Sequence, residues 1–206
     1  MRFSLILKSV LASLCLCLPV AASATPTIMV FGDSLSSGYG LPQDAGWVAL
    51  LKKRLRQELL NYDVVNASIS GETTRGGLSR ISQSLAAHHP SIVIVELGGN
   101  DGLRGQPIEA TRDNLEGIIK SCQLRGAKVL LIGVRLPPNY GPAYTQQFHA
   151  IYPQLAKRYQ LALTPFMLEG FGDDLSMFQA DGIHPTAAAQ SVILDNIWKH
   201  LRPLLQ

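Results

Sequence analysis

The chain is 206 residues long, 47% hydrophobic and 16% charged, with 18 Lys and Arg against 15 Asp and Glu. Charge this sparse and this balanced excludes an acidic or basic interaction tail, and the apolar fraction excludes a disordered chain. Three cysteines exclude a disulfide-stapled scaffold.

The chain opens with a leader pattern. Arg2 and Lys8 precede an apolar run from about Ser9 to Ala21, which ends in Ala22-Ser23-Ala24. This is the form of a secretory signal with a small-residue cleavage site. The run falls short of the roughly 20 apolar residues that a membrane span requires, and no later stretch is long enough. Residues 1–24 are therefore read as a cleaved signal peptide and residues 25–206 as one domain, exported to the periplasm. The leader removes two of the 18 basic residues, leaving 16 against 15 acidic ones. It also removes Cys15 and Cys17, so the exported chain keeps Cys122 alone, placed in a helical pattern as a small buried residue.

Beyond the leader, short apolar runs alternate with longer amphipathic ones. The strands are expected at Ile28–Phe31, Val64–Ala67, Ile92–Leu97, Val129–Val134 and, more weakly, Leu161–Thr164. Helical periodicity covers Gly46–Leu60, Thr73–His88, Pro107–Arg125 and Tyr144–Tyr159, and a last helix is expected to start at Pro185, whose fixed φ suits a first helical position. Strands joined by helical crossovers run parallel, which predicts a three-layer α/β fold. Ligands in such folds bind beyond the carboxyl ends of the strands, so the loops that follow strands carry the functional question.

Those loops are Gly32-Asp33-Ser34, then SISGET at 68–73, GGND at 98–101, RLPPNYG at 135–141 and, after a long irregular segment, DGIHP at 181–185. Each has a plain explanation alone. Ser34 suits a helix cap, glycine and asparagine suit tight turns, and Asp-Gly is a common turn. Together they hold what acyl transfer needs: a hydroxyl, an imidazole to take its proton, a carboxylate to orient the imidazole, and donors for a developing oxyanion. With strand order 2-1-3-4-5, the ends of strands two, one and three are neighbours, which brings Gly71, Ser34 and Asn100 together. In DGIHP the two intervening residues let the Asp181 carboxylate meet His184 Nδ1, and Pro185 keeps His184 just outside the following helix.

Other chemistries find less support. His88 and His89 sit at a helix C-terminus, His149 and His200 lie in amphipathic helices, and no metal-ligand spacing occurs. The first loop lacks the Lys-Ser/Thr of a P-loop, its glycines do not fit GxGxxG, and the chain has no GxSxG nucleophile elbow. Glu96, inside the apolar run IVIVEL, needs a partner if buried and ionised, and the sequence does not point to one.

In order along the chain, GDSLS, Gly71 in SGET, GGND and DGIHP resemble the four sequence blocks of the SGNH (GDSL) hydrolases. The similarity extends through VVNASISGET, VELGGNDGLRG, RLPPNYG and AIYPQLAKRY, over essentially the whole mature chain. One departure is Glu72, where the family pattern leads one to expect Asp. The resemblance implies a flavodoxin-like α/β/α fold with a five-stranded parallel sheet in the order 2-1-3-4-5. It implies Ser34 as nucleophile, His184 as base, Asp181 as its orienting partner, and Ser34, Gly71 and Asn100 as oxyanion donors. It further implies esterase and thioesterase activity on acyl substrates such as lysophospholipids, acyl-CoA and aryl esters, with no metal or organic cofactor.

The expected partner is thus a small acyl ester or thioester, with neither nucleic acid nor stable membrane insertion, and the expected state is a monomer. Leu136, Pro137, Pro138 and Tyr140, with the apolar segment 166–178, are the expected walls of the acyl site. Two alternatives stay open: a carbohydrate or peptidoglycan O-acetylesterase on the same scaffold, and a periplasmic lipid-binding protein with an inactive triad.

Overall fold

The computed structural model describes residues 25–205, so the leader pattern at 1–24 lies outside the described residues. The described residues form a five-stranded sheet in the order β2-β1-β3-β4-β5, with every strand pair parallel. The strands are β1 (Thr27–Gly32), β2 (Asp63–Asn66), β3 (Ile92–Glu96), β4 (Lys128–Ile132) and β5 (Ala162–Thr164). This is the expected topology, with strand ends moved by a residue or two.

Alternation along the strands makes the two cores. Met29 and Phe31 of β1, Val93 and Val95 of β3, and Val129 and Leu131 of β4 face one side. Ile28, Val30, Ile92, Ile94, Leu130 and Ile132 face the other. Successive side chains of a strand point to opposite faces, so a continuous apolar run is the signature of a strand covered on both sides. Helices α3 (Thr74–His88), α5 (Ile108–Leu124) and α6 (Pro142–Tyr159) cover the first face, contributing Ile81, Leu115, Ile118, Phe148 and Tyr152. Helices α2 (Trp47–Gln57) and α7 (Gln190–Leu201) cover the second, with Trp47, Leu51, Ile193 and Ile197. Fully burying a large apolar side chain contributes about 1.5–3 kcal/mol, so these paired layers hold the sheet rigid beneath the loops at its carboxyl edge.

Two short helices are additions to the sequence reading: α1 (Ser34–Ser37), directly after β1, and α4 (Gly99–Leu103), directly after β3. One helix start is corrected. Pro185 does not open the last helix, because it forms a bridge with Phe178 and its carbonyl accepts from Gln179 Nε2 at 3.2 Å. A 3-10 turn at Ala187–Ala189 intervenes, and α7 begins at Gln190. Cys122 is fully buried, and burial pushes its thiol up to about 12, which keeps it protonated and inert.

Candidate active site

Ser34 is the first residue of α1, but it is not the cap. Asp33 holds the cap position and accepts from the Leu35 N–H through Oδ1 at 3.0 Å, which leaves the Ser34 hydroxyl free for another partner. That partner is His184, whose Nε2 stands 2.8 Å from Ser34 Oγ across 150 positions of sequence. His184 Nδ1 in turn lies 2.7 Å from Asp181 Oδ2. The second carboxylate oxygen of Asp181 accepts the Ile183 and His184 backbone N–H groups at 2.9 and 3.0 Å. Those backbone bonds, with the imidazole, hold the Asp181 carboxyl down at about 2. A carboxylate fixed this way stays ionised and faces one imidazole nitrogen, so the other nitrogen is left for the hydroxyl.

Gly71 follows β2 and takes φ +79°, a left-handed conformation suited to glycine. Asn100 lies in α4 after β3, and its Nδ2 donates to Asp33 Oδ2 at 3.1 Å. One amide hydrogen is thereby occupied and the orientation of the carboxamide is set, with a second hydrogen still available. Ser34, Gly71, Asn100 and His184 line one cleft of about 200 Å³, together with Leu35, Tyr39, Leu103 and Ile183.

Leu136, Pro137, Pro138 and Tyr140 do not line this cleft. They follow β4, one strand farther from β1 than β3 is. Leu136 packs over Gly102, and Tyr140 donates through its hydroxyl to the Leu103 carbonyl at 2.9 Å, so Leu136 and Tyr140 stand behind the wall that Leu103 provides. From the segment 166–178, Met167 and Phe171 are buried in the second core, while residues 172–176 are exposed.

Glu96 now has its partners. It ends β3 directly beneath the first loop and is fully buried. Its Oε2 accepts from Ser36 Oγ at 2.7 Å and from the Asp33 N–H at 3.3 Å. A Cβ on Gly32 would stand 2.7 Å from that oxygen, so glycine before Asp33 makes room for the carboxyl. Oε1 is buried with no hydrogen-bond partner among the described residues. Burial, reinforced by the neighbouring Asp33 carboxylate, holds Glu96 well above the ordinary glutamate range. Burial also lifts Asp33 to about 6, against the pull of its Leu35 and Asn100 donors. Asp33 and Glu96 are thus adjacent buried carboxyls, and charge on Asp33 makes charge on Glu96 costlier still.

Two more ties fix the surrounding loops. Asp101 is buried and accepts both the Thr74 N–H at 2.9 Å and the Thr74 hydroxyl at 2.6 Å, joining the α4 loop to the start of α3. Arg80 donates from Nε to Glu72 at 2.6 Å and from Nη1 to the Ala67 carbonyl at 2.8 Å, while its guanidinium lies 3.9 Å from the Phe31 ring centroid. Glu72, the departure from the family pattern, therefore pairs with an arginine of α3 beside Gly71. None of these supporting roles is visible in the local sequence, although a carboxylate in the middle of IVIVEL marks Glu96 as anomalous.

The profile of the GDSL-like lipase/acylhydrolase family matches residues 30–192, a span that runs from β1 through the Asp181–His184 loop into α7. The chain belongs to this family. Among its GDSL relatives is esterase TesA of Pseudomonas aeruginosa, 49% identical over 201 residues, which covers 97% of this chain and 100% of that one. Another is the thioesterase 1/protease 1/lysophospholipase L1 of Escherichia coli, 44% identical over 184 residues, covering 89% and 87%. A crystal structure of TesA superposes with a TM-score of 0.85 at 51% identity, covering 87% of this chain and 99% of that one. The α/β sheet described above is thus the fold of GDSL hydrolases.

Proposed function

We propose that the protein is a serine hydrolase of carboxylic esters and thioesters that works through an acyl-enzyme. The observation that carries this reading is the continuous chain Asp181–His184–Ser34, closed at 2.7 and 2.8 Å. Ser34 Oγ attacks the substrate carbonyl carbon as its proton passes to His184 Nε2. The negative charge that develops on the carbonyl oxygen is met by the Ser34 and Gly71 N–H groups and the free hydrogen of Asn100 Nδ2. As the carbonyl re-forms, the leaving alkoxide or thiolate takes the proton from His184 and departs. Water repeats the sequence on the acyl-serine, and the acid is released with Ser34 restored.

The relatives' names support the substrate class, since one is an esterase and another a thioesterase and lysophospholipase. Leu35, Tyr39, Leu103 and Ile183 in the cleft favour an alkyl or aryl group over a polar sugar, which makes lysophospholipids, acyl-CoA and aryl esters better candidates than acetylated carbohydrate. The leader pattern at 1–24 supports export to the periplasm, and N-terminal sequencing of the exported protein is expected to begin at Thr25.

Ser34→Ala is expected to abolish turnover and labelling by a fluorophosphonate, while Ser37→Ala retains both. Ser36 is not a neutral control, because its hydroxyl holds Glu96. Wild-type turnover in Ser34→Ala would reject the reading. A panel of lysophospholipid, acyl-CoA, aryl acetate and acetylated sugar orders the substrates, and the acetylated sugar is expected to be the slowest.

A further inference from the structure

The imidazole is carried by the least regular part of the site. His184 and Asp181 lie on a loop between the 3-10 turn Leu175–Met177 and the one that precedes α7, and no sheet strand leads directly into it. The loop is closed on itself by the Phe178–Pro185 bridge and by the Thr186 N–H donating to the Met177 carbonyl at 2.8 Å. That closure shapes the loop but does not say where the imidazole stands relative to Ser34.

Gln179 links the two. Its backbone N–H donates to the His184 carbonyl at 2.7 Å, and its own carbonyl accepts the Gly182 N–H at 2.9 Å. Its side-chain Nε2 donates to the Tyr39 carbonyl at 2.9 Å and to the Pro185 carbonyl at 3.2 Å, so both amide hydrogens are engaged. Tyr39 is tied to the serine, because its N–H donates to the Ser34 carbonyl at 3.3 Å. The Tyr39 ring also lies against the imidazole, with centroids 4.6 Å apart and planes tilted by 41°. A closed circuit results, running from Ser34 through Tyr39 and Gln179 to His184 and back to Ser34 Oγ. Gly40 completes the arrangement: its φ is +70°, and a Cβ there would collide with Gln179 Oε1.

We propose that Gln179 is a positioning residue for His184, stapling the loop that carries the base to the turn beyond the nucleophile helix and so setting the approach of Nε2 to Ser34 Oγ. The proposal rests on Ser34 and His184 acting as nucleophile and base. It places Gln179 outside contact with substrate, since it does not line the cleft, and predicts an effect on chemistry and not on binding. A misplacement of about 1 Å at a reacting pair costs up to about a hundredfold in rate.

The test uses Gln179→Met, which keeps length and removes both donors, and Gln179→Asn, which keeps the amide but is one methylene too short to reach Tyr39. Steady-state kinetics on an aryl ester, the rate of Ser34 labelling by a fluorophosphonate, thermal melts and the downfield proton resonance of the Asp181–His184 bond are measured for each. The expected result in both variants is a kcat about ten- to a hundredfold lower with KM within about twofold of wild type. Labelling is expected to slow in step, and the downfield resonance to broaden, while the melt stays near wild type. Wild-type kcat and labelling in either folded variant would overturn the proposal, as would a rise confined to KM. Ser34→Ala is run in parallel. Turnover surviving in Ser34→Ala would mean that the hydrolase reading itself has failed, whereas a dead Ser34→Ala beside a fully active Gln179→Met would remove the staple alone.

Discussion

Asn100 illustrates how a neighbour fixes the orientation of a side chain. Its carboxamide has two hydrogens, and the bond to Asp33 occupies one of them, so the direction of the other is fixed before any substrate arrives. Donors preorganised in this way do not have to reorient as charge develops, and removing one costs about 10² to 10³ in kcat. Asn100→Ala is therefore expected to lower kcat by that factor in steady-state assays, with KM little changed. A loss confined to KM would assign Asn100 to binding instead. GGND marks Asn100 in the sequence, but Asp33, which aims it, carries no such mark, because the cap reading there falls on Ser34. Tyr39 and Gln179 carry no sequence signal at all, since each is an unremarked loop residue whose role depends on an element distant along the chain.

Between elements, the loops of the active edge are joined by buried polar ties and not by apolar packing alone. Asp101 is the clearest, with both carboxylate oxygens engaged by Thr74 at the start of α3. Asn114 of α5 donates to the same threonine hydroxyl at 3.1 Å. Asp101→Ala would leave the buried Thr74 N–H unpaired, at a cost of about 1–3 kcal/mol. Urea unfolding is expected to show that loss, and kcat is expected to fall with it, because the tie links the Gly71 and Asn100 loops. Stability lost without any fall in kcat would mean that the two loops hold their positions independently. The strands and long helices were legible because apolar period and burial agree over many residues. The start of α7 was not, because the bridge to Phe178 overrides the preference of Pro185 for a first helical turn.

The molecule as a whole carries a pH signature from its acidic groups. Asp33 rises from 3.8 to about 6, and Glu96 is held well above 4.5, each first by burial. A carboxyl raised on folding contributes stability that is fully present below its unfolded pKa and is lost as pH rises through the folded value. Asp181 has the opposite sign: lowered from 3.8 to about 2, it contributes above its unfolded value and is lost as pH falls towards 2. Chemical denaturation between pH 4.5 and pH 8 is expected to show declining stability in the wild type and a shallower decline in Glu96→Gln, which mimics the protonated acid without being able to ionise. Equal slopes in the two proteins would mean that Glu96 does not hold its proton in the folded state.

By itself the sequence determined the layers and the chemistry within reach. Apolar runs buried on both faces make parallel strands, helical crossovers separate them, and the blocks GDSLS, SGET, GGND and DGIHP follow those strands or precede the last helix. These are local properties, and local periodicity and turn chemistry report them directly. Tertiary structure alone decided what stands beside what: Glu96 beneath Asp33, Asp33 beside Asn100, Gln179 between Tyr39 and His184, and Leu136 behind the cleft wall instead of in it. Such contacts depend on strand order, loop path and the space left by Gly32 and Gly40. A few ångströms separate a residue that lines the cleft from one that supports it, and sequence spacing does not record that distance.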